Sequence, residues 1–98
     1  MRVIAKKALV VFYNEHEDAK TALEEWYDKN TKARWDNFSQ VRRMFNSADY
    51  VGNNRIVFNI RGNQYRLIAL VLFSIKMVYI RFIGTHEEYD RIKDIENI

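Results

Sequence analysis

The sequence predicts an α+β domain in which about three amino-terminal helices pack on a small antiparallel meander and a short helix closes the chain. Three observations carry this. Apolar residues recur at helical spacing as far as Phe45, β-branched and aromatic residues crowd three short runs from Arg55 onward, and a stretch rich in turn formers separates the two patterns. With 98 residues, of which 48% are hydrophobic and 30% charged, the chain is long enough for one ordinary core and reads as one domain spanning residues 1–98.

The elements follow in order. Val3-Ile4 is short and apolar and suits an edge strand. From Lys6 to Tyr13, Ala8, Leu9 and Phe12 share one helical face. From Asp18 to Lys29, Ala19, Ala22, Leu23, Trp26 and Tyr27 follow the i, i+3, i+4, i+7, i+8 pattern, with Asp18 placed as the N-cap. A third helix starts at Asp36 or Asn37 and ends near Asn46: Asn37 and Gln40 resemble a capping box, and Phe38, Val41 and Phe45 share a face. Ser47 to Asn54 reads as a loop. Strands are then expected over Arg55–Ile60, Tyr65–Phe73 and Met77–Ile83, joined by connections so short that neighbours must run antiparallel. Thr85-His86-Glu87-Glu88 has the Ser/Thr-x-x-Glu form that starts a helix.

Composition excludes several function classes. There are no cysteines, so no disulfide framework or cysteine zinc site exists, and two histidines make a poor metal set. No metal or other cofactor is expected. The basic start of the chain is not followed by an apolar run of signal-peptide length, and the apolar stretch Leu67–Phe73 is far below the roughly 20 residues of a membrane span, so a cytoplasmic protein is expected. A net charge of +3 says little by itself, but its distribution says more. Residues 1–49 carry nine Lys/Arg against eight Asp/Glu, residues 50–86 five against none, and residues 87–98 two against five. Arg55, Arg61, Arg66, Lys76 and Arg81 therefore have no acidic neighbour in sequence.

Side chains alternate between the faces of a strand, so Arg66 lies opposite the face holding Tyr65, Leu67, Ala69 and Val71. If Ile60 pairs with Tyr65, Asn59 lies beside Arg66. Pairing Phe73 with Met77 sets Arg81 on the helix side, whereas a bulge or a shift of one residue sets it beside Arg66, and the sequence leaves both open. Arg55 and Lys76 need no more than exposure to explain them. Arg66 and Arg81 are each the one charged residue in a long apolar strand, and a half-buried guanidinium without a carboxylate wants an anion; the fork suits a phosphate diester. His16, among Glu15, Glu17 and Asp18, reads as a surface residue. His86 stands where strand turns into helix, and an imidazole with an unperturbed pKa of about 6.5 can move a proton there.

The run Tyr50-Val51, Val57-Phe58-Asn59-Ile60, Gly62-Asn63, Tyr65-Arg66-Leu67-Ile68 and Tyr79-Ile80-Arg81-Phe82-Ile83-Gly84-Thr85-His86-Glu87-Glu88-Tyr89-Asp90 resembles the HigB toxins of the RelE-like (RelE/ParE) superfamily, found in type II toxin-antitoxin systems. The resemblance spans nearly the whole chain and implies a RelE-like fold and a ribosome-dependent mRNA endoribonuclease, or mRNA interferase. Such a toxin enters the ribosomal A site against 30S rRNA and cuts by metal-free attack of the ribose 2′-hydroxyl, and a HigA-type helix-turn-helix antitoxin neutralises it. Carried onto this chain, the Tyr-Arg-Leu and Arg-x-x-x-Thr-His-x-x-Tyr-Asp motifs nominate Arg66, Arg81, His86 and Tyr89 as catalytic. Arg66 and Arg81 would neutralise the transition state, His86 would transfer a proton and Tyr89 would stack on a base. Asn59, Arg61 and Lys76 are the RNA-binding candidates, holding phosphate without reading sequence. Leu70 stands where many of those toxins carry a basic residue, which leaves more to Arg61. Two other readings stand beside this one: a non-catalytic gyrase poison of the ParE branch, which needs no histidine at position 86, and a plain RNA-binding domain, which needs aromatics on the open face of the sheet, where Tyr79 is a candidate.

Overall fold

The computed structural model describes residues 1–98 and holds the expected α+β architecture. The chain runs β1 (Arg2–Ile4), α1 (Lys6–Glu15), α2 (Lys20–Lys32), α3 (Phe38–Met44), β2 (Asp49–Gly52), β3 (Arg55–Ile60), β4 (Tyr65–Leu72), β5 (Met77–Thr85) and α4 (His86–Asp90). The five strands lie in the order β1-β5-β4-β3-β2, all antiparallel except β1 against β5. Val3-Ile4 is thus an edge strand, paired with Val78 and Tyr79.

Ala19, just before α2, and Leu23, Trp26 and Asn30 along it are buried, and Trp26 meets Phe58 of β3 edge-on at 5.4 Å, with Phe45 against the same ring at 5.1 Å. These contacts anchor the helices to one face of the sheet, and losing a side chain such as Trp26 costs about 3–5 kcal/mol. Asp18 does not cap α2. A turn of 3-10 helix over Glu17–Ala19 precedes that helix, and Asp18 instead accepts hydrogen bonds from Tyr65 and Arg61. Asn37 caps α3 as expected, accepting from the Gln40 amide at 3.1 Å, while the Gln40 side chain reaches back to the amide of Asp36.

The loop expected at 47–54 contains β2. Asn53 and Asn54 both have positive φ, 51° and 65°, the signature of a two-residue type I′ hairpin turn. On the other side of β3, Ile60 pairs with Tyr65 and Asn59 with Arg66, the register that loop length implies. At the far end of β4, Leu72 rather than Phe73 pairs with Met77. Continued without interruption, that register would put Arg81 opposite Ile68, on the Arg66 face. A bulge intervenes: Ala69 pairs with Ile80 and Ile68 with Phe82, leaving Arg81 as the extra residue.

The face away from the helices is not open. Val57 and Ile68 lie on it and are 3% and 0% exposed. Along the chain end, Tyr89, Ile92, Ile95 and Ile98 are half-buried while every residue between them is exposed, a period of three that marks one apolar edge. Arg55 fastens this segment by donating through Nε and Nη2 to the carbonyl oxygen of Ile98 at 3.1 and 2.7 Å, and Asn53 donates to the Glu96 carbonyl at 3.1 Å. Arg55, which exposure alone would have explained, is a fastening for the chain end.

Candidate active site at the end of the sheet

The sheet end where β5 turns into α4 gathers most of the candidate residues. Thr85 starts α4 with a full capping box: its side chain accepts from the Glu88 amide at 3.1 Å and Glu88 accepts from the Thr85 amide at 2.8 Å. These bonds hold the Glu88 carboxyl below its usual range. His86 therefore sits at a fixed first position of the helix, its own amide donating to the Gln64 carbonyl at 3.0 Å. Beside it lies a polar cleft of about 430 Å³, walled by Asp18, Asn63, Gln64 and Tyr65 on one side and Thr85, His86 and Glu87 on the other. Tyr65 and Arg61 both donate to Asp18, Arg61 at 2.7 Å, and together they stiffen that wall.

Arg66 borders this corner from β4. Its Nη1 donates to the carbonyls of Asn63 at 3.0 Å and Tyr65 at 3.3 Å, and its guanidinium lies 5.6 Å from the centre of the Tyr89 ring. No carboxylate is within ion-pairing distance. Guanidinium has five N–H donors, so with both Nη1 hydrogens engaged, Nε and Nη2 keep three, the pair of atoms that grips two oxygens of one anion. Asn63 links the two halves: its carbonyl holds Arg66, its side chain lines the His86 cleft, and its Oδ1 accepts from Asn59 at 3.3 Å. Burial raises the Tyr89 phenol above its ordinary value of 10, with Arg66 pulling it down and Asp49 and Asp90 adding to the rise. Tyr89 is thus a neutral ring at physiological pH, suited to stacking.

The arrangement sets the Arg66 guanidinium and the His86 cleft on either side of one asparagine, with the Tyr89 ring beside the guanidinium. The sequence model of one family, HigB toxin, described as the RelE-like toxic component of a toxin-antitoxin system, matches residues 19–92. The chain belongs to the HigB toxin family. The mRNA interferase toxin HigB of Escherichia coli K12 is 32% identical over 93 residues, which cover 92% of this chain and 88% of that protein. The mRNA interferase HigB of Shigella flexneri matches with the same identity and coverage. As the toxic component of such a system, a HigB-family protein has an antitoxin for a partner.

Within this HigB-family chain, Arg66 lies against Tyr89 and beside Asn59, while His86 lines the neighbouring cleft, whose Asp18 and Gln64 walls Arg61 bonds. Arg81 and Lys76 lie elsewhere. Arg81, turned out of the ladder by the bulge, is exposed in a largely apolar groove of about 570 Å³ between α1 and β5, beside Lys7, Val11 and Glu15. Lys76 stands at the opposite end of β5 from His86, a strand of nine residues away or roughly 30 Å. Its ammonium bonds the Asp36 carboxylate at 2.6 Å and the Trp35 carbonyl at 2.9 Å, tying the α2–α3 connection to the sheet. Sequence reasoning missed Asn63 and the Asp18–Tyr65–Arg61 network, because both depend on a loop closing against a distant helix start. It also gave no role to Asp90, whose Oδ2 lies 2.9 Å from His86 Nδ1. Four residues apart at the start of a helix was the signal available for that pair.

Proposed function

We propose that the chain is the mRNA-cutting toxin of a type II toxin-antitoxin pair, working in the cytoplasm on ribosome-bound message and neutralised by a HigA-type helix-turn-helix antitoxin. The observation that carries this reading is the unpaired fork of Arg66, set by Asn63 next to the cleft that holds His86. The substrate is RNA because the reaction uses its own 2′-hydroxyl. That oxygen attacks the adjacent phosphorus, the bond to the 5′-oxygen breaks, and a 2′,3′-cyclic phosphate and a 5′-hydroxyl remain.

In this reading the Nε–Nη2 edge of Arg66 grips the non-bridging oxygens and neutralises the charge that builds on them, commonly the largest single contribution to such a barrier. His86 moves a proton at the cleft, an effect worth typically ~10²- to 10⁴-fold. Tyr89, backed by Arg66, offers its ring to a base. Asn59 and Arg61 flank the path of the backbone. Arg81 and Lys76 have no part in the cut.

Incubating the purified protein with a defined message, with and without ribosomes, tests the reading. Cleavage that requires ribosomes is expected. Intact message under both conditions, together with inhibition of DNA supercoiling, would instead point to a gyrase poison.

A further inference from the structure

Asp90 closes the one-and-a-half turns of α4 that His86 opens, and its Oδ2 lies 2.9 Å from His86 Nδ1. An i, i+4 pair on a helix surface is usually a modest electrostatic contact. Three features here argue for more. The carboxylate approaches Nδ1, so its charge favours a proton on that atom and leaves the free lone pair on Nε2. The imidazole borders the polar cleft, 44% of its side chain remaining open to solvent. The backbone that carries the pair is held in place, at His86 by the capping box and its amide bond to the Gln64 carbonyl, and beside Asp90 by the Tyr89 ring lying against Arg66.

We propose that Asp90 is a positioning residue for His86: it selects the Nδ1–H tautomer, so that Nε2 is the atom that takes the proton from the 2′-hydroxyl. This deepens, and rests on, the ribonuclease reading above. The proton on O2′ passes to Nε2 while the O2′ electron pair forms the bond to phosphorus. The bond to O5′ then breaks with its electrons on O5′, which takes a proton from water, and the imidazolium releases its own to solvent. Asp90 takes no part in the transfer itself; its charge beside Nδ1 favours the proton there, the part an orienting carboxylate plays beside a catalytic histidine. Of the two carboxylates that wall the cleft, Asp18 is held by Tyr65 and Arg61, and Glu87 makes no ion pair with His86; Glu88, next along the helix, is committed to the capping box.

The test uses the intact protein carrying Asp90→Asn or Asp90→Glu, with two independent readouts. The first needs no RNA: nitrogen-15 NMR of the histidine rings reports which nitrogen of His86 holds the proton in the neutral form. Nδ1–H is expected in the parent and in Asp90→Glu, and a shift toward Nε2–H in Asp90→Asn. The second is single-turnover cleavage on ribosomes. Asp90→Asn is expected to lower kcat at least tenfold with KM unchanged, short of the ~10²- to 10⁴-fold loss of removing the proton-transfer group itself. Asp90→Glu is expected to recover part of that rate. A His86 tautomer that is the same with and without the carboxylate overturns the proposal, and so does a tautomer change that leaves kcat untouched. If the parent cuts no RNA, the ribonuclease reading fails, and the NMR arm still decides whether Asp90 sets the tautomer.

Discussion

Replacing Arg66 tests the most specific feature of the site, the guanidinium edge left free when Nη1 is tied to the carbonyls of Asn63 and Tyr65. Three N–H donors remain on Nε and Nη2, enough for two parallel bonds to one phosphate. Removing a preorganised donor from the charge-bearing oxygens of a transition state costs about 10²–10³ in kcat, or about 2.7–4 kcal/mol. Arg66→Ala is expected to lose that much. Arg66→Lys keeps a point charge but loses the fork, so it is expected to lie between alanine and the parent, at least ~tenfold below the latter. Both variants also free two backbone carbonyls at a water-accessible turn, worth about 1 kcal/mol, a fall of a few degrees in Tm that leaves the protein folded. The assay is single-turnover primer extension on ribosome-bound message, with circular dichroism melting as the folding control. An Arg66→Ala variant cutting within about threefold of the parent would refute the role, since no preorganised phosphate donor is that cheap to lose.

Three further outcomes are expected. Thr85→Ala removes the α4 cap and should cost about 0.5–2 kcal/mol in denaturant melts while lowering cleavage, because His86 is the first residue of that helix. The same cap should fail in acid: the folded carboxyl of Glu88 lies below its ordinary 4.5 because of its bond from the Thr85 amide, so its stabilisation is full above pH 4.5 and is lost as pH falls through the folded value. Gly84→Ala places a methyl 2.5 Å from the Phe82 ring and 3.1 Å from Glu88 Oε1, and the resulting displacement should cost about 1–3 kcal/mol and show as a lower Tm. Lys76→Ala should leave cleavage unchanged and lower Tm in the same melts, because it removes the bonds to Asp36 and the Trp35 carbonyl at the far end of β5.

Local patterns written in neighbouring residues were readable. The period of α2, the Asn37 cap, the Thr85 capping box and the Asn59–Arg66 pairing each depend on residues a few positions apart, and each stands as the sequence predicts. What escaped was set by contacts distant in sequence. Asp18 looked like an N-cap because it precedes an apolar helical run, yet Tyr65 and Arg61 compete for its carboxylate from the other half of the chain. Asn53-Asn54 sits in a stretch of turn formers that reads as a loop, although two consecutive residues tolerant of positive φ are a hairpin signal. The Arg81 question turned on one inserted residue, which no alternation pattern reveals when both flanks are apolar. The period-three stripe of Tyr89, Ile92, Ile95 and Ile98 fits neither the helix nor the strand template, so the sequence does not show that the chain end lies against the sheet.

The central claim is that RNA is cut by its own 2′-hydroxyl at the corner held by Arg66 and His86. A message carrying a single 2′-deoxy nucleotide at the mapped cleavage site, on ribosomes with the purified protein, tests it most directly. Cutting at that bond should disappear while the all-ribose control yields a 2′,3′-cyclic phosphate and a 5′-hydroxyl. Undiminished cutting of the deoxy-substituted bond would contradict it.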